Sequence, residues 1–433
     1  MPNDGTTTAP ESLAATMEKP DESSKLRSFV VILRKFIGVP DIATARFSLP
    51  AQLLEPIPNL EFWNYLDRPE SFISIGKSDD ELGRMFEVLR FWFTKDLKYV
   101  KGKPCKPYNS VLGEFFRCNW EIEDVDQPIL GTRRGSLSTT EAKEKVKVSY
   151  LTEQTSHHPP VSAFYVDCPA RGISARGFDQ ISAKFTGTGV RISPGHHNLG
   201  IFVNLSRWDN EEYQLTHPAA HVGGLLRGTL SVTVSDTCYI TCPKTRIKAI
   251  LQYHENGWLG KPHHKVSGII FRYDPEDDTI TKSKDVPDDD ILAEIQGCWH
   301  GQIYYTLRGS SEQELLIDVT PLFPGEKCVP PPEQQLYYES RRLWSDITEA
   351  IHSRQYPLAT HLKHELEESQ RQKAAIRMEK CEKWKPRFFT VPINPSGKPE
   401  LTDEGKEALA KLNRNDFELE EAVNPEDLED KIN

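Results

Sequence analysis

The sequence predicts a mostly β fold, arranged as an antiparallel sandwich or barrel and flanked by α-helices. From about residue 112 to 305, apolar residues alternate with polar ones in many short runs, as at Val146, Val148 and Tyr150. Turn residues such as Asp209-Asn210 and Asp274-Pro275 separate these runs. Many short strands with few helices between them are typical of antiparallel sandwiches and barrels.

Helical patterns precede and follow this strand-rich region. Before it, an apolar stripe at helical spacing predicts a helical region over 78–101. After it, residues 333–381 are helical in pattern, and we expect Pro357 to separate a helix at 339–352 from another at 358–380.

The N-terminal residues fall into two parts. Residues 1–24 are rich in Thr, Pro, Glu and Ser, a composition typical of disorder. The next segment, 25–37, carries apolar residues at helical spacing and a basic face that includes Arg34 and Lys35, which predicts a short amphipathic helix. Such a helix either docks on the protein surface or serves as a lid or membrane-touching helix.

Composition and charge exclude several classes of protein. The formal net charge is -11, which argues against a protein that coats nucleic acid. No stretch approaches the roughly 18–20 apolar residues of a membrane span, so we expect only peripheral membrane contact. The eight cysteines show no C-x-x-C spacing and no signal peptide is recognisable, which predicts reduced thiols in the cytosol. Residues 391–433 are polar and end in an acidic tail, which predicts a solvated or loosely docked extension.

The sharpest local motif is E-Q-T-S-H-H-P-P at 153–160. Neither proline has an N–H, so a strand ladder must break there and present the two imidazoles at a strand end. Histidines in that position can donate to an anion or ligate a metal, although no third ligand stands at a recognised metal spacing. From local chemistry alone, anion binding, metal binding and a plain turn all remain open.

Three motifs together resemble the oxysterol-binding-protein-related family. The run at 153–160 resembles its signature E-Q-x-S-H-H-P-P, and K-P-Y-N-S-V-L-G-E at 106–114 resembles K-P-[YFL]-N-P-[IVF]-L-G-E. The run K-H-E-L-E-E-S-Q-R at 363–371 resembles the helical motif K-x-x-x-E-x-x-x-R. Weaker similarity extends from about residue 45 to 390, and with no pleckstrin-homology segment recognisable the chain resembles a short member.

The resemblance implies a large incomplete antiparallel β-barrel that encloses a lipid tunnel, with an N-terminal lid and C-terminal helices. After the disordered start, residues 25–60 would form the lid and N-terminal segment. Residues 61–390 would form the lipid-binding domain, including the helices of 333–381, and 391–433 the acidic extension. The lid residues would be Leu26, Phe29, Val30 and Leu33.

The resemblance also implies a phosphatidylinositol 4-phosphate site at the tunnel mouth. Two histidines would hold the 4-phosphate, a lysine and an asparagine would contact phosphate and glycerol or inositol oxygens, and a helical triplet would frame the inositol ring. Taken alone, the triplet would be an ordinary set of charged residues on a solvent-exposed helix face, and Lys106 an ordinary surface lysine. Ser110, where most members have proline, loosens the turn. The implied residues are His157, His158, Lys106, Asn109, Lys363, Glu367 and Arg371.

A further segment bears on the second lipid. The run L-P-A-Q-L-L-E-P at 49–56 resembles L-P-T-F-I-L-E-P of the phosphatidylserine-carrying branch, with Ala51 and Gln52 in place of Thr and Phe. Leu49, Pro50 and Leu54 would line the entrance for that lipid. We therefore expect phosphatidylserine ahead of sterol as the lipid exchanged for phosphatidylinositol 4-phosphate.

The expected function is lipid transfer, with a lipid sensor or scaffold as the alternative. The sequence has no G-x-S-x-G or H-E-x-x-H, so we expect neither an enzyme nor a cofactor or metal. A monomer suits a shuttle that touches anionic membranes from the cytoplasm. The resemblance places such contact where the endoplasmic reticulum meets the plasma membrane or Golgi.

Overall fold

One antiparallel sheet of fifteen strands makes up most of the part of the chain that the computed structural model describes. That part comprises residues 29–43, 49–102, 105–124, 127–131, 145–225, 230–254 and 264–421. The strands are β1 Phe115–Glu123, β2 Lys145–His157, β3 Pro160–Cys168, β4 Ile173–Asp179, β5 Ile181–Phe185, β6 Val190–Pro194, β7 Ile201–Leu205, β8 Glu211–Leu215, β9 Ala219–Gly223, β10 Ser231–Cys242, β11 Ile247–Tyr253, β12 Lys265–Arg272, β13 Ile291–Cys298, β14 Gln302–Leu307 and β15 Glu314–Asp318.

The strand order leaves the sheet open. Twelve strands follow the path β1-β2-β3-β4-β7-β8-β10-β11-β12-β13-β14-β15, and β5, β6 and β9 form a side branch that joins the first half of β10. Within the described ranges, no ladder joins β1 to β15, which stand at opposite ends of this path. The arrangement confirms the predicted mostly β fold with flanking helices, and the open ends fit an incomplete barrel.

The predicted helical regions are present with shifted bounds. The region 78–101 is two helices, and the predicted N-terminal helix is helical over 29–34, its residues 25–28 lying outside the described ranges. Pro357 does not separate two helices but lies in the first turn of one, where its missing N–H is not needed. The helices are α1 29–34, α2 Asn59–Phe62, α3 Pro69–Ile73, α4 Glu81–Thr94, α5 Lys98–Lys101, α6 Ser340–Leu343, α7 Ser345–His352, α8 Tyr356–Glu379 and α9 Asp403–Leu412.

The sheet curls around helix α4. Asp80 caps the start of this helix by accepting a hydrogen bond from the Gly83 N–H at 2.8 Å. Almost every later residue of α4 is buried, and its apolar side chains share one cluster with residues of twelve strands, from Phe116 on β1 to Leu316 on β15. The surrounding strands cover this helix on nearly all sides, and its buried Arg84 is paired with Glu211 of β8 at 2.8 Å.

The C-terminal segment is packed against the sheet, at least as far as residue 421. Ala408, Leu409 and Leu412 of α9 are buried in an apolar cluster with Leu151 of β2 and Phe115 of β1. The structure therefore differs from the expected solvated or loosely docked extension, because three apolar residues at helical spacing outweigh their charged neighbours. The remaining residues, 422–433, lie outside the described part of the chain.

A buried ion pair fastens this segment to the edge strand β1. Arg117 is fully buried and donates to both carboxylate oxygens of Glu339, at 2.9 and 3.3 Å. It also donates to the Phe417 carbonyl at 2.9 Å. One guanidinium thus joins β1, the segment before α6 and the C-terminal segment.

No helix in the described ranges is long and apolar enough to cross a membrane.

We predict that Arg117→Met lowers the free energy of unfolding by about 3–5 kcal/mol, because it leaves the Glu339 carboxylate buried without its partner. Urea denaturation measures the change. The matched control is Arg246→Met, which removes an exposed ion pair with Asp274 and should have little effect. Equal losses in the two variants would contradict the role given to Arg117.

Candidate functional site

The two histidines of the H-H-P-P run lie where β2 turns into β3. His157 is the last residue of β2 and pairs with Pro160, the first of β3. Both imidazoles are exposed, with ring centroids 4.8 Å apart, and the peptide bond between His158 and Pro159 is cis. The motif therefore forms a tight strand-to-strand turn that presents two imidazoles to solvent, as its sequence predicts.

The first two residues of the motif, Glu153 and Gln154, hold this turn and the segment packed against it through hydrogen bonds. Glu153 is buried and accepts hydrogen bonds from the backbone N–H groups of Arg387 and Phe388, both at 2.8 Å. Burial raises the pKa of Glu153 to about 7. The Gln154 amide donates to the Ser156 carbonyl at 2.7 Å and so supports the turn. Sequence reasoning assigned these two residues no role, and that of Glu153 is revealed only by partners more than 230 positions away.

The K-P-Y-N segment is anchored by buried groups around its polar residues. Lys106 Nζ donates to Asn109 Oδ1 at 2.6 Å and to the Pro107 carbonyl at 3.1 Å. Tyr108 is fully buried and stacks on Trp344, with ring centroids 4.5 Å apart. These contacts fix the backbone on either side of Lys106 and Asn109.

Glu114, at the end of the same motif, ties the segment to α6 and the start of α7. Its carboxylate accepts from the Ser340 hydroxyl at 2.7 Å, the Val111 N–H at 3.0 Å and the Trp344 indole at 3.1 Å. Burial raises its pKa to about 7. Glu114 is a second residue whose positioning role was missed, since its two side-chain partners, Ser340 and Trp344, lie more than 220 positions away.

The helical triplet of α8 divides into two parts. Lys363 is buried and its Nζ lies 2.6 Å from Glu367 Oε1, one helical turn away. Arg371 is exposed and pairs with Glu368 at 2.8 Å. The structure therefore brings Lys363 and Glu367 toward the other motifs, whereas the Arg371 guanidinium is turned to its own helix.

Electrostatic effects show that the three motifs meet. Burial, together with repulsion from Lys363, lowers the pKa of Lys106 from 10.5 to about 8. Partial desolvation by neighbouring groups and the charge of His158 lower the pKa of His157, while attraction to Glu367 and a hydrogen bond to the Ser110 backbone oppose that shift. Lys106, Asn109, His157, His158, Lys363 and Glu367 therefore form one group, here called the candidate site.

The chemistry of the candidate site suits a phosphate group. Desolvation and the charge of the neighbouring Lys363 ammonium both raise the free energy of the charged form of Lys106. A bound dianion would relieve that repulsion, and imidazoles and an amide add neutral hydrogen-bond donors. Among the described residues, no three His, Cys, Asp or Glu side chains are grouped to hold a metal ion.

The predicted second-lipid segment borders this site. Leu49 and Leu54 are buried, Pro50 is half-buried, and a 3-10 turn at Ala51–Leu53 separates them. Just beyond, the Glu55 N–H donates to the Lys106 carbonyl at 2.9 Å. The segment packs with residues of α7 and α8 in one apolar cluster, so it lies beside the candidate site.

The predicted lid helix bridges two apolar clusters. Phe29 of α1 packs against the cluster beside the candidate site, while Val30 and Leu33 are buried against β5 and β6. Asp41, shortly after α1, accepts from the Ala183 N–H of β5 at 2.9 Å. Leu26 lies outside the described residues. Helix α1 therefore spans the space between the site and the side branch of the sheet.

Sequence similarity to known proteins extends over most of this chain. A family model described as oxysterol-binding protein matches residues 28–349. Oxysterol-binding protein-like protein 1 of Schizosaccharomyces pombe is 42% identical over 470 residues, which cover 90% of this chain and 91% of that protein. Human oxysterol-binding protein-related protein 9 is 33% identical over 344 residues, 79% of this chain but only 44% of that longer protein.

Solved structures share the fold at lower identity. The Osh1 ORD domain in complex with cholesterol superposes with a TM-score of 0.60 and 18% identity, over 89% of each chain. The Osh3 ORD of Saccharomyces cerevisiae in complex with PI(4)P superposes with a TM-score of 0.61 and 16% identity, over 90% of this chain and 93% of that one. The incomplete barrel is thus the architecture of known domains.

We predict that Lys106→Met raises the free energy of unfolding by about 1–3 kcal/mol at pH 7, because it removes a desolvated charge beside Lys363. The folded-state pKa lies below the ordinary lysine value of 10.5, so the destabilising charge is fully present below about pH 8. The gain should therefore shrink as the pH rises from about 8 to 10.5. Urea denaturation at several pH values measures it.

The same substitution should weaken binding of a soluble phosphomonoester such as glycerol phosphate, measured by calorimetry. Lys282→Met, at an exposed position, should alter neither stability nor binding. A Lys106→Met variant that is destabilised at pH 7 would show that the two ammonium groups do not repel each other as described.

Proposed function

The chain belongs to the oxysterol-binding protein family, and on that premise we propose that it extracts phosphatidylinositol 4-phosphate from one membrane and exchanges it for a second lipid. This family consists of lipid-binding proteins and not of enzymes. The observation that carries the proposal is the meeting of Lys106 and Lys363 beside His157 and His158, at the end of an apolar barrel.

The headgroup would bind at the candidate site. A phosphomonoester carries nearly two negative charges near neutral pH, and the paired ammonium groups of Lys106 and Lys363 supply the opposite charge. His157 and His158 would donate to the 4-phosphate, and Asn109 and Glu367 offer an amide and a carboxylate to phosphate and inositol oxygens. Arg371 would join them only after leaving Glu368, a rearrangement open to a long exposed side chain.

The acyl chains would lie inside the barrel, beside α4 and among apolar side chains of the surrounding strands. Transfer of each CH₂ from water to an apolar interior yields about 0.8 kcal/mol, which offsets the loss of the same contacts in the bilayer. The sheet encloses a cluster of apolar side chains contributed by twelve strands, and α1 covers the space between the site and the side branch. A closed α1 would shield the lipid from water in transit.

Phosphatidylserine is the second lipid that we propose first, with sterol as the next candidate. The support is the L-P-A-Q-L-L-E-P segment, whose Leu49 and Leu54 are buried beside the candidate site. The Osh1 domain was solved with cholesterol, which supports sterol as the next candidate. Two lipids that compete for one interior allow the gradient of one to drive transport of the other.

The setting that we propose is peripheral contact, from the cytoplasm, with anionic membranes of the endoplasmic reticulum and the plasma membrane or Golgi. The protein would act there as a monomer, since a shuttle needs one site and one lid. A lipid sensor or scaffold would use the same binding residues but would not move lipid between membranes.

We predict that the double variant His157→Ala/His158→Ala loses extraction of phosphatidylinositol 4-phosphate from liposomes while its fold is retained, because both imidazoles are exposed at the turn. Lipids bound to the re-isolated protein are identified by mass spectrometry. The matched control replaces another adjacent pair, His196 and His197, whose rings lie 5.0 Å apart. Normal extraction by the first variant would show that the headgroup assignment is wrong.

We also predict that phosphatidylserine moves from donor to acceptor liposomes faster when the acceptors contain phosphatidylinositol 4-phosphate, because that lipid empties the barrel by competition. Fluorescent sensors of the two lipids report both transfers in one experiment. Acceleration of sterol transfer instead would name sterol as the cargo. Binding without transfer of any lipid would favour the sensor or scaffold.

A further inference from the structure

Helix α8 ends in an exposed tip that is apolar and basic. The tip consists of Met378, Lys380, Lys383, Trp384 and Lys385. Met378 exposes 77% of its surface, the largest fraction of any large hydrophobic residue in the described part of the chain. The three lysines are exposed, and Trp384 is half-buried.

Ordered backbone hydrogen bonds hold this tip. The Lys380 N–H donates to the Ile376 carbonyl at 2.9 Å, as in a regular last turn. The Cys381 N–H then donates to the Met378 carbonyl at 3.2 Å, and the Glu382 N–H to the Arg377 carbonyl at 2.9 Å. These bonds satisfy carbonyls that a helix end leaves open, and they fix Met378 on the outside.

The tip is joined to the candidate site through Trp384. The indole packs on Gly113 so closely that a Cβ atom there would lie 2.7 Å from the ring, and Gly113 has a φ of +79°. The Gly113 N–H donates to the Gln154 carbonyl at 3.0 Å, three residues before His157. Along α8 itself, Met378 lies about 22 Å from Lys363 of the candidate site.

The charge of the tip opposes that of the whole chain. The chain has a net charge of -11, yet Lys380, Lys383 and Lys385 outnumber Glu379 and Glu382 here. No ion pair joins any of the three lysines to another residue among those the structure describes. Lysines beside an exposed methionine and a tryptophan are the combination that favours an anionic bilayer surface.

We infer that the α8 tip is a membrane-contact surface, which docks on an anionic lipid bilayer with Met378 in the headgroup region. Docking there brings the neighbouring candidate site to the membrane whose lipid it takes. The inference rests on the proposed function only in the statement that docking serves the uptake of lipid. The contact itself can be measured without any lipid being extracted.

Exposed cysteines allow a direct test. Cys381 lies within the tip and Cys328 beside β1, and both are exposed. Two variants, each with Cys105 and Cys298 replaced by serine, keep either Cys381 or Cys328 and carry a polarity-sensitive nitrobenzoxadiazole dye on it. Vesicles of phosphatidylcholine with phosphatidylserine should shift the emission of the Cys381 dye to the blue and leave the Cys328 dye unchanged. An unchanged Cys381 dye, or an equal shift at both positions, would overturn the inference.

A charge-reversal pair tests the lysines. Lys380→Glu/Lys383→Glu should lower vesicle binding about tenfold or more in a flotation assay, whereas Lys282→Glu/Lys284→Glu, with the same charge change in an acidic loop, should not. Soluble inositol phosphate should still bind the first variant, because its site is untouched. Failure of the unaltered protein to bind that headgroup would contradict the proposed function alone. Unchanged vesicle binding of the first variant would contradict the membrane-contact surface alone.

Discussion

The site depends on two buried carboxylates, Glu114 and Glu153, which draw distant parts of the chain together at the start of β1 and the end of β2. Glu114 accepts three hydrogen bonds and joins the segment after Lys106 to α6 and α7. Glu153 accepts hydrogen bonds from two backbone N–H groups of the segment after α8. Burial raises the pKa of each to about 7, so these carboxylates are held by their hydrogen bonds against the cost of desolvation.

With its backbone fixed in this way, the site can hold charges that would otherwise separate. Lys106 and Lys363 repel each other in a desolvated place, and free lysines would turn to solvent. Lys106 is retained by Asn109 and the Pro107 carbonyl, and Lys363 by Glu367. In the proposed function, the folding free energy lost to this repulsion would be offset on binding, since an arriving phosphate would find its cations already in place.

The sequence predicted the parts of this arrangement that are local. Alternation predicted the strands, and the two prolines predicted the turn that presents His157 and His158. Local chemistry could not choose among anion site, metal site and turn, because that choice depends on Lys106 and Lys363, which lie far away in the chain. The roles of Glu114 and Glu153 were missed for the same reason, with partners up to 235 positions distant. Helix α9 was missed because charged residues surround its short apolar stripe.

The position of α1 suits the lid that the proposed function requires. Phe29 packs beside the candidate site, and Val30 and Leu33 pack on the side branch of the sheet, so opening the lid would expose two apolar surfaces at once. Water makes that exposure costly, at about 25 cal/mol for each Å² of apolar surface. The apolar boundary of a bilayer lowers the cost, because it replaces contacts that the helix gives up. In the proposed function, opening would therefore be least costly at a bilayer surface. Arg34 of α1 and Lys35 of the turn that follows are both exposed, which favours an anionic one.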